Sequence, residues 1–361
     1  MNFTPASYTF DSKIKGSVTW KSPSNIALVK YWGKKPVQIP ANPSISFTLD
    51  ACATTTKLSY TSREDRKNKF DFTLLFEGKP REDFKPKIHK FLERVESYVP
   101  FVNDFQFSIE TSNSFPHSSG IASSASGMSA LALCLMSIER KMFPEMTDTF
   151  FKQKASFLAR LGSGSASRSI EGGLVTWGRH KMLPDSSDDF ASKYPFEVHP
   201  VFENYHDTIL LVDKGEKKVS STVGHNLMHD HPYAASRFHQ ANDNLMKINP
   251  ILKSGDLKAF IALVESEALS LHAMMMTSMP YFILMKPETM KIIEKIWAFR
   301  ERTGLPVCFT LDAGANVHVL YPETEYVKIY EFIKNELVAY CQNGHYICDR
   351  VGKGATLLNE E

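Results

Sequence analysis

The stretch Asn113-Ser114-Phe115-Pro116-His117-Ser118-Ser119-Gly120-Ile121-Ala122-Ser123-Ser124-Ala125-Ser126-Gly127 constrains this chain most. It is dense in Ser, Gly and Ala, and the segment after it, Met128 to Met136, is rich in helix formers. A small-residue loop that feeds a helix N-terminus leaves backbone N–H groups unpaired. Those groups and the helix dipole favour an anion. Small side chains let a phosphate approach closely, and the Ser123 and Ser124 hydroxyls suit a phosphate oxygen or Mg²⁺. The plainer reading is a Ser-capped helix after a flexible turn. Neither a G-x-x-x-x-G-K-[ST] loop nor a G-x-G-x-x-G fingerprint occurs.

A second small-residue loop, Gly162-Ser163-Gly164-Ser165-Ala166-Ser167-Arg168-Ser169-Ile170-Glu171-Gly172-Gly173, holds one arginine. A guanidinium beside free N–H groups and hydroxyls receives a carboxylate or phosphate well; a loop arginine facing water is the alternative. Two other residues stand at strand ends. Lys30 closes the apolar run from Ile26 and precedes Tyr31 and Trp32. It is either half-buried beside an anion or carboxylate, or it snorkels to water. Lys34 and Lys35 form an anion-binding mouth or a solvated turn. Asp312 follows the apolar run Val307 to Leu311 and precedes a Gly turn, which suits a catalytic carboxylate or an Asx-turn.

The 361 residues suffice for one large or two ordinary domains with a sizeable core. A net charge of +2 gives no global basic field for nucleic acid. Five scattered cysteines without C-x-x-C spacing point to a reducing compartment. No signal peptide and no apolar run of bilayer-spanning length is read, so the expected location is cytoplasmic, away from membranes.

Periodicity predicts strands over residues 14–20, 42–49, 54–60, 70–76, 105–110, 174–177, 207–212, 307–311 and 317–320. The strands at 54–60 and 70–76, joined by a charged turn, read as a hairpin or meander. Helices are expected over 85–98, 128–136, 147–161, 233–247, 256–270, 287–301 and 325–339, the first with a solvated basic face. Residues 181–197 form a loop and a domain boundary, and the tail from Asn343 is irregular. His225 and His229 have the H-x-x-x-H spacing of a zinc site, but no Cys or H-E-x-x-H supports it. With His231 and His239 they read as helix-end and surface histidines.

Together, a strand-end lysine, two small-residue loops and a strand-end aspartate resemble the GHMP kinase superfamily, and within it the mevalonate diphosphate decarboxylases. Asn25 to Lys34, Asn42 to Ser46, Pro116 to Ala125, Gly162 to Ser169, Val219 to Thr222 and Asp312 to Asn316 are similar to that family's signatures. The resemblance implies an α+β, GHMP-kinase-like, two-lobed fold with a deep central cleft. It implies an N-terminal domain over residues 1–190, a C-terminal domain over 191–361, and a homodimer.

It also implies ATP-dependent decarboxylation of mevalonate 5-diphosphate with Mg²⁺. Asp312 would act on the 3-hydroxyl, Lys30 would pair with Asp312, and Arg168 would hold the substrate carboxylate. Tyr31, Lys34, Ser163 and Ser165 would face the substrate and its diphosphate. Asn113, Ser118, Gly120, Ala122, Ser123 and Ser124 would line the nucleotide, with Ser124 on the metal. The loop after Lys34 is shorter than in the family, and the family's phosphate-binding arginine has three candidates, Arg81, Lys85 and Lys87. A 5-monophosphate decarboxylase, a 3-kinase, a non-catalytic relative and, least supported, a nucleic-acid module are the alternatives.

Overall fold

The computed structural model describes residues 3–5, 14–63, 69–116, 121–215 and 221–361. The N-terminal half supplies β1 (Lys15–Val29), β2 (Lys34–Lys35), β3 (Ile39–Pro40), β4 (Ser44–Ser62), β5 (Asp71–Phe76), β6 (Lys79–Pro80), β7 (Phe105–Asn113), β8 (Leu174–Trp177) and β9 (Ser192–Lys193). Its helices are α1 (Lys85–Val95), α2 (Ser123–Met142) and α3 (Asp148–Gly162). The C-terminal half adds β10 (His206–Leu210), β11 (Cys308–Leu311), β12 (Val317–Tyr321), β13 (Tyr346–Arg350) and β14 (Thr356–Glu360). With them come α4 (Ser221–Asn226), α5 (Ala234–Ser254), α6 (Leu257–Met276), α7 (Pro287–Thr303) and α8 (Tyr326–Phe332).

The larger sheet runs β14-β1-β4-β7-β5-β6, with β8 pairing β4 and β9 pairing β8. The smaller sheet runs β11-β12-β10-β13. The expected strands at 42–49 and 54–60 are one long strand, β4, and the expected hairpin with 70–76 does not form. β7 lies between them, antiparallel to β4 and parallel to β5. Its alternating Phe105, Phe107 and Ile109 are buried, which favours an interior position. The parallel β5–β7 pair needs a crossover, and α1 provides it.

The tail from Asn343 is also ordered, contrary to expectation. β13 joins the smaller sheet beside β10, and β14 joins the larger sheet beside β1. The five residues of β14 are all exposed, so the sequence shows no alternation to betray an edge strand. Within β13, Asp349 accepts the backbone N–H groups of Asp50, Ala51 and Cys52 at 2.8, 2.8 and 2.7 Å. These residues interrupt the β1–β4 register, which jumps from Pro23↔Ala53 to Asn25↔Thr48. One carboxylate thus satisfies three donors that the ladder leaves over.

α2 is buried nearly all round and sits under the larger sheet with α3. α6 is long and apolar enough, by length and composition, to cross a membrane, which the sequence reading did not anticipate. In this fold it is a core helix: Phe260, Val264, Ala268 and Leu271 are buried, and it packs on β11. One hydrophobic cluster containing Leu28, Phe47, Tyr205 and Phe260 joins residues from both halves of the chain.

Candidate active site

Lys30 follows the last residue of β1. It is 2% exposed, which removes the snorkelling alternative. Its backbone is fixed on both sides: the N–H donates to Glu267 Oε2 at 2.8 Å, and the carbonyl accepts from Asn42 Nδ2 at 2.8 Å. Glu267, on α6, is fully buried and also accepts from Arg237 at 2.5 Å and Asn244 at 2.6 Å. The Lys30 ammonium has no hydrogen-bond partner among the described residues. Burial lowers its pKa from 10.5 to about 8, against the opposing charges of Asp312 and then Glu267.

Asp312 stands just past β11, half-buried, with its backbone carbonyl accepting from His272 Nε2 at 3.1 Å. It is the largest charge keeping Lys30 protonated, and it also favours the charged form of Arg168. The expected Lys30–Asp312 relation is therefore electrostatic, without a direct bond.

Arg168 lies in the 3₁₀ turn Gly164–Ser169 after α3 and is 3% exposed. It donates to Ser44 Oγ at 2.6 Å, while its Nε has no partner. Burial lowers its pKa to about 10. A guanidinium placed in a dry site with an idle donor suits a carboxylate. The turn is tight because a Cβ on Gly164 would lie 2.7 Å from the Tyr31 hydroxyl. Tyr31 is half-buried, packed edge-on to Trp177 with ring centroids 4.7 Å apart, and burial raises its phenol pKa.

The first small-residue loop meets this turn. Ser124 and Ser163 hydroxyls are 3.3 Å apart, so the starts of α2 and of the Arg168 turn adjoin. Ser165 is half-buried, and its carbonyl accepts from Asn25 Nδ2 at 3.1 Å. Ala122 begins α2 in the left-handed region, with φ 49° and ψ 41°. Such a conformation is uncommon outside glycine and is found at binding loops. No side chain caps this helix start among the described residues, so the Ser-capped reading fails. Ser118 and Gly120, and with them His117, lie outside the described residues; so do Val219 and Ser220 of the expected Val219–Thr222 signature.

Beside the loop opens a cavity of about 140 Å³. Leu74, Phe76, Ile109 and Met128 form apolar walls, and Asn113, Ser123, Ser124 and Lys87 line it as well. The Asn113 Nδ2 is buried without a partner, while its Oδ1 accepts from Thr54.

Among the three candidates for a phosphate-binding cation, Arg81 is held by both oxygens of Asp83, at 2.8 and 2.7 Å, and Lys85 pairs with Glu82 at 2.9 Å. Lys87 lines the cavity. The cations that act on Lys34 come instead from the later turns of α1. Burial, then Arg94 and Lys90, lowers the Lys34 pKa. Lys87 and Lys90 of this basic face are exposed, as the sequence suggested, while Arg94 and Lys90 also act on Lys34 through their charge. The signal was the i, i+4 spacing of Lys90 and Arg94, which is also how a solvated face reads.

His225 and His231 are buried, contrary to the surface reading, whereas His229 and His239 are exposed. α4 ends at Asn226, so His225 and His229 do not share a helix. Among the described residues no group of three His, Cys, Asp or Glu is arranged to hold a metal. Glu267, Arg237 and His225 are the residues near Lys30 that sequence reasoning missed. Glu267 sits in an apolar helix with nothing local to mark it as a network centre.

Family comparisons now bear on this arrangement. The model of the diphosphomevalonate decarboxylase-like N-terminal domain matches residues 22–191, and that of the mevalonate 5-diphosphate decarboxylase C-terminal domain matches residues 208–356. A diphosphomevalonate decarboxylase from Ganoderma lucidum is 31% identical over 327 residues, covering 86% of this chain and 79% of the relative. The chain belongs to the diphosphomevalonate decarboxylase family.

Solved structures of that family share its fold. The Staphylococcus aureus mevalonate diphosphate decarboxylase superposes with a TM-score of 0.80 at 27% identity, covering 96% of this chain and 99% of that one. A structure of MDDEF in complex with MVAPP, AMPPCP and magnesium gives the same TM-score at 26% identity, with the same coverage. This fold is the α+β, GHMP-kinase-like architecture that the sequence motifs implied. In this chain the buried Lys30 and Arg168 share an electrostatic neighbourhood with the half-buried Asp312, beside a small-residue loop at a helix start.

Proposed function

We propose that this chain catalyses the ATP-dependent decarboxylation of mevalonate 5-diphosphate to isopentenyl diphosphate, with release of ADP, phosphate and CO₂. The observation that carries the reading is the convergence of Asp312 and Arg168 on Lys30 in a chain of this family. In this reading the substrate lies with its carboxylate on Arg168, its 3-hydroxyl at Asp312 and its diphosphate toward Lys34, Lys90 and Arg94. Tyr31, Ser163 and Ser165 line its path.

Asp312 orients the 3-hydroxyl and takes its proton as that oxygen attacks the γ-phosphorus of ATP and ADP departs. Lys30 keeps Asp312 ionised until that step. Phosphorylation turns hydroxide, a poor leaving group, into phosphate. The C3–O bond then breaks, and positive charge develops at C3. The C1–C2 bond supplies its electron pair to a C2=C3 double bond as CO₂ leaves. Arg168 holds the carboxylate so that this bond is aligned with the departing phosphate.

Asn113, Ala122, Ser123 and Ser124 form the nucleotide site, with the base in the apolar cavity and phosphates at the start of α2. The Ser124 hydroxyl would hold a Mg²⁺ bound with the nucleotide. When bound, the ion neutralises phosphate charge. Lys34, with Lys90 and Arg94 acting on it, favours a diphosphate over a monophosphate at that end. A cytoplasmic homodimer completes the reading; the free thiols of all five cysteines accord with a reducing compartment. Sedimentation and cell fractionation test that part.

The deciding assay supplies ATP and Mg²⁺ with either mevalonate 5-diphosphate or mevalonate 5-phosphate, and follows ADP and CO₂ together. Equal ADP and CO₂ from the diphosphate is the expected result. Turnover with the monophosphate alone transfers the mechanism to that substrate. ADP without CO₂ removes the role given to Arg168.

A further inference from the structure

One buried polar side chain in the same neighbourhood has no part in the scheme above. His225 is 9% exposed and comes from α4. α4 rests directly on Trp32, since a Cβ on Gly224 would lie 2.7 Å from that indole. The imidazole packs against Tyr31 and Trp32, with ring centroids 4.4 and 4.5 Å away. Its Nδ1 accepts the Gly33 N–H at 2.9 Å. A ring nitrogen that accepts a backbone N–H carries no proton, so the neutral ring holds its proton on Nε2.

The ring is neutral because burial, and then the Lys34 charge, lowers its pKa to about 3. Asp312 opposes this shift and Arg168 adds to it. Among the described residues, Nε2 has no hydrogen-bond partner. The charges that act on the ring are thus Lys34, at the phosphoryl end of the proposed substrate path, and Asp312 and Arg168, at its reacting end. Lys34 acts most strongly.

We propose that His225 is a substrate-binding residue whose Nε2–H donates a hydrogen bond to a non-bridging oxygen of the phosphoryl group nearest the substrate's carbon chain. The inference rests on the reading of this cleft as the mevalonate 5-diphosphate site. The ring is bonded to Gly33, the residue before Lys34, and packs on Tyr31, which lines the proposed substrate path; that place between the two selects the inner phosphoryl group over the terminal one. A neutral donor adds direction there without adding to the cluster of positive charge. The Gly33 bond fixes the tautomer, so the donor is set before substrate arrives.

Two substitutions separate this role from packing. His225→Asn keeps an acceptor within reach of Gly33 N–H, but its shorter amide places no donor at the Nε2 position. His225→Gln carries an amide donor out to the Nε2 position and loses the Gly33 bond. Calorimetric titration of the full chain with mevalonate 5-diphosphate, without nucleotide, is expected to show about a tenfold to hundredfold weaker Kd for His225→Asn. His225→Gln is expected within about threefold of wild type, both variants keeping the wild-type KM for ATP. In ¹⁵N-histidine spectra of the wild type, the Nε2–H resonance is expected to move on adding the diphosphate.

A tolerated Asn with a weakened Gln, equal losses in both, no loss in either, or an unmoved Nε2–H resonance would each overturn the proposal. If wild-type protein binds the diphosphate and His225→Asn binds it equally, the inference alone fails. If wild-type protein does not bind it, the reading of the cleft fails and takes the inference with it.

Discussion

Arg168 and Ser44 are joined by a hydrogen bond of 2.6 Å that runs from the turn after α3 to the first residue of β4. It fixes one end of a buried guanidinium and leaves Nε idle. We expect Arg168→Ala and Asp312→Asn each to lower kcat by about a hundredfold or more while changing the KM for ATP by about twofold or less. Ser44→Ala, which frees the guanidinium without removing it, is expected to lower kcat by about tenfold. Steady-state kinetics with each substrate varied in turn reads both constants. A large rise in the ATP KM with normal kcat would contradict these roles.

The lowered pKa of Lys30 gives a pH prediction with a definite sign. As pH rises through about 8, the ammonium loses its proton and Asp312 loses its cationic neighbour. The value of kcat/KM for the diphosphate should therefore fall on the alkaline side with a midpoint near pH 8, as a pH–rate profile will show. Stability moves the opposite way. Between about 8 and 10.5 the unfolded chain still binds a proton that the native chain has released, so stability rises with pH across that window. Below it, burying the charge costs about 3 kcal/mol. Lys30→Met should accordingly be inactive and yet more heat-stable at neutral pH, which calorimetry can check.

Glu267 joins three elements by accepting from Lys30, Arg237 and Asn244 in a fully buried setting. Glu267→Gln removes the charge that compensates Arg237. The expected loss is about 3–5 kcal/mol of stability. Denaturant unfolding measures it, and an unchanged midpoint would show that Arg237 finds another partner.

Arg94 is anchored by a 2.7 Å bond to the Leu161 carbonyl and acts on Lys34 from the side. Arg94→Ala should raise the KM for mevalonate 5-diphosphate by about tenfold and leave kcat within about threefold. Added salt should narrow the difference, because the lost interaction is partly exposed. The same substitution tested with the 5-monophosphate should cost less, since fewer phosphate charges are involved.

Much of this arrangement was legible before any coordinates. Lys30, Arg168 and Asp312 each announced themselves as a charge set into an apolar or small-residue context, and the motif resemblance assigned them together. β7 was visible as a strand, but its insertion between β4 and β5 was not, because a strand's own alternation marks its buried face and says nothing of which strands lie beside it. β14 left no trace, since an edge strand with five exposed residues has no periodic pattern. Lys90 and Arg94 looked like a solvated face because helical spacing does not reveal what lies opposite. His225 read as a surface histidine, since its partners Tyr31, Trp32 and Gly33 are nearly two hundred residues away along the chain.

The pairing of β14 with β1 has a consequence for the order in which the protein is made. β1 leaves the ribosome more than three hundred residues before its partner Thr356–Glu360. For the whole of that interval the outer edge of β1 lacks its native neighbour. Deletion of Thr356–Glu360 would leave that edge open to other nascent chains.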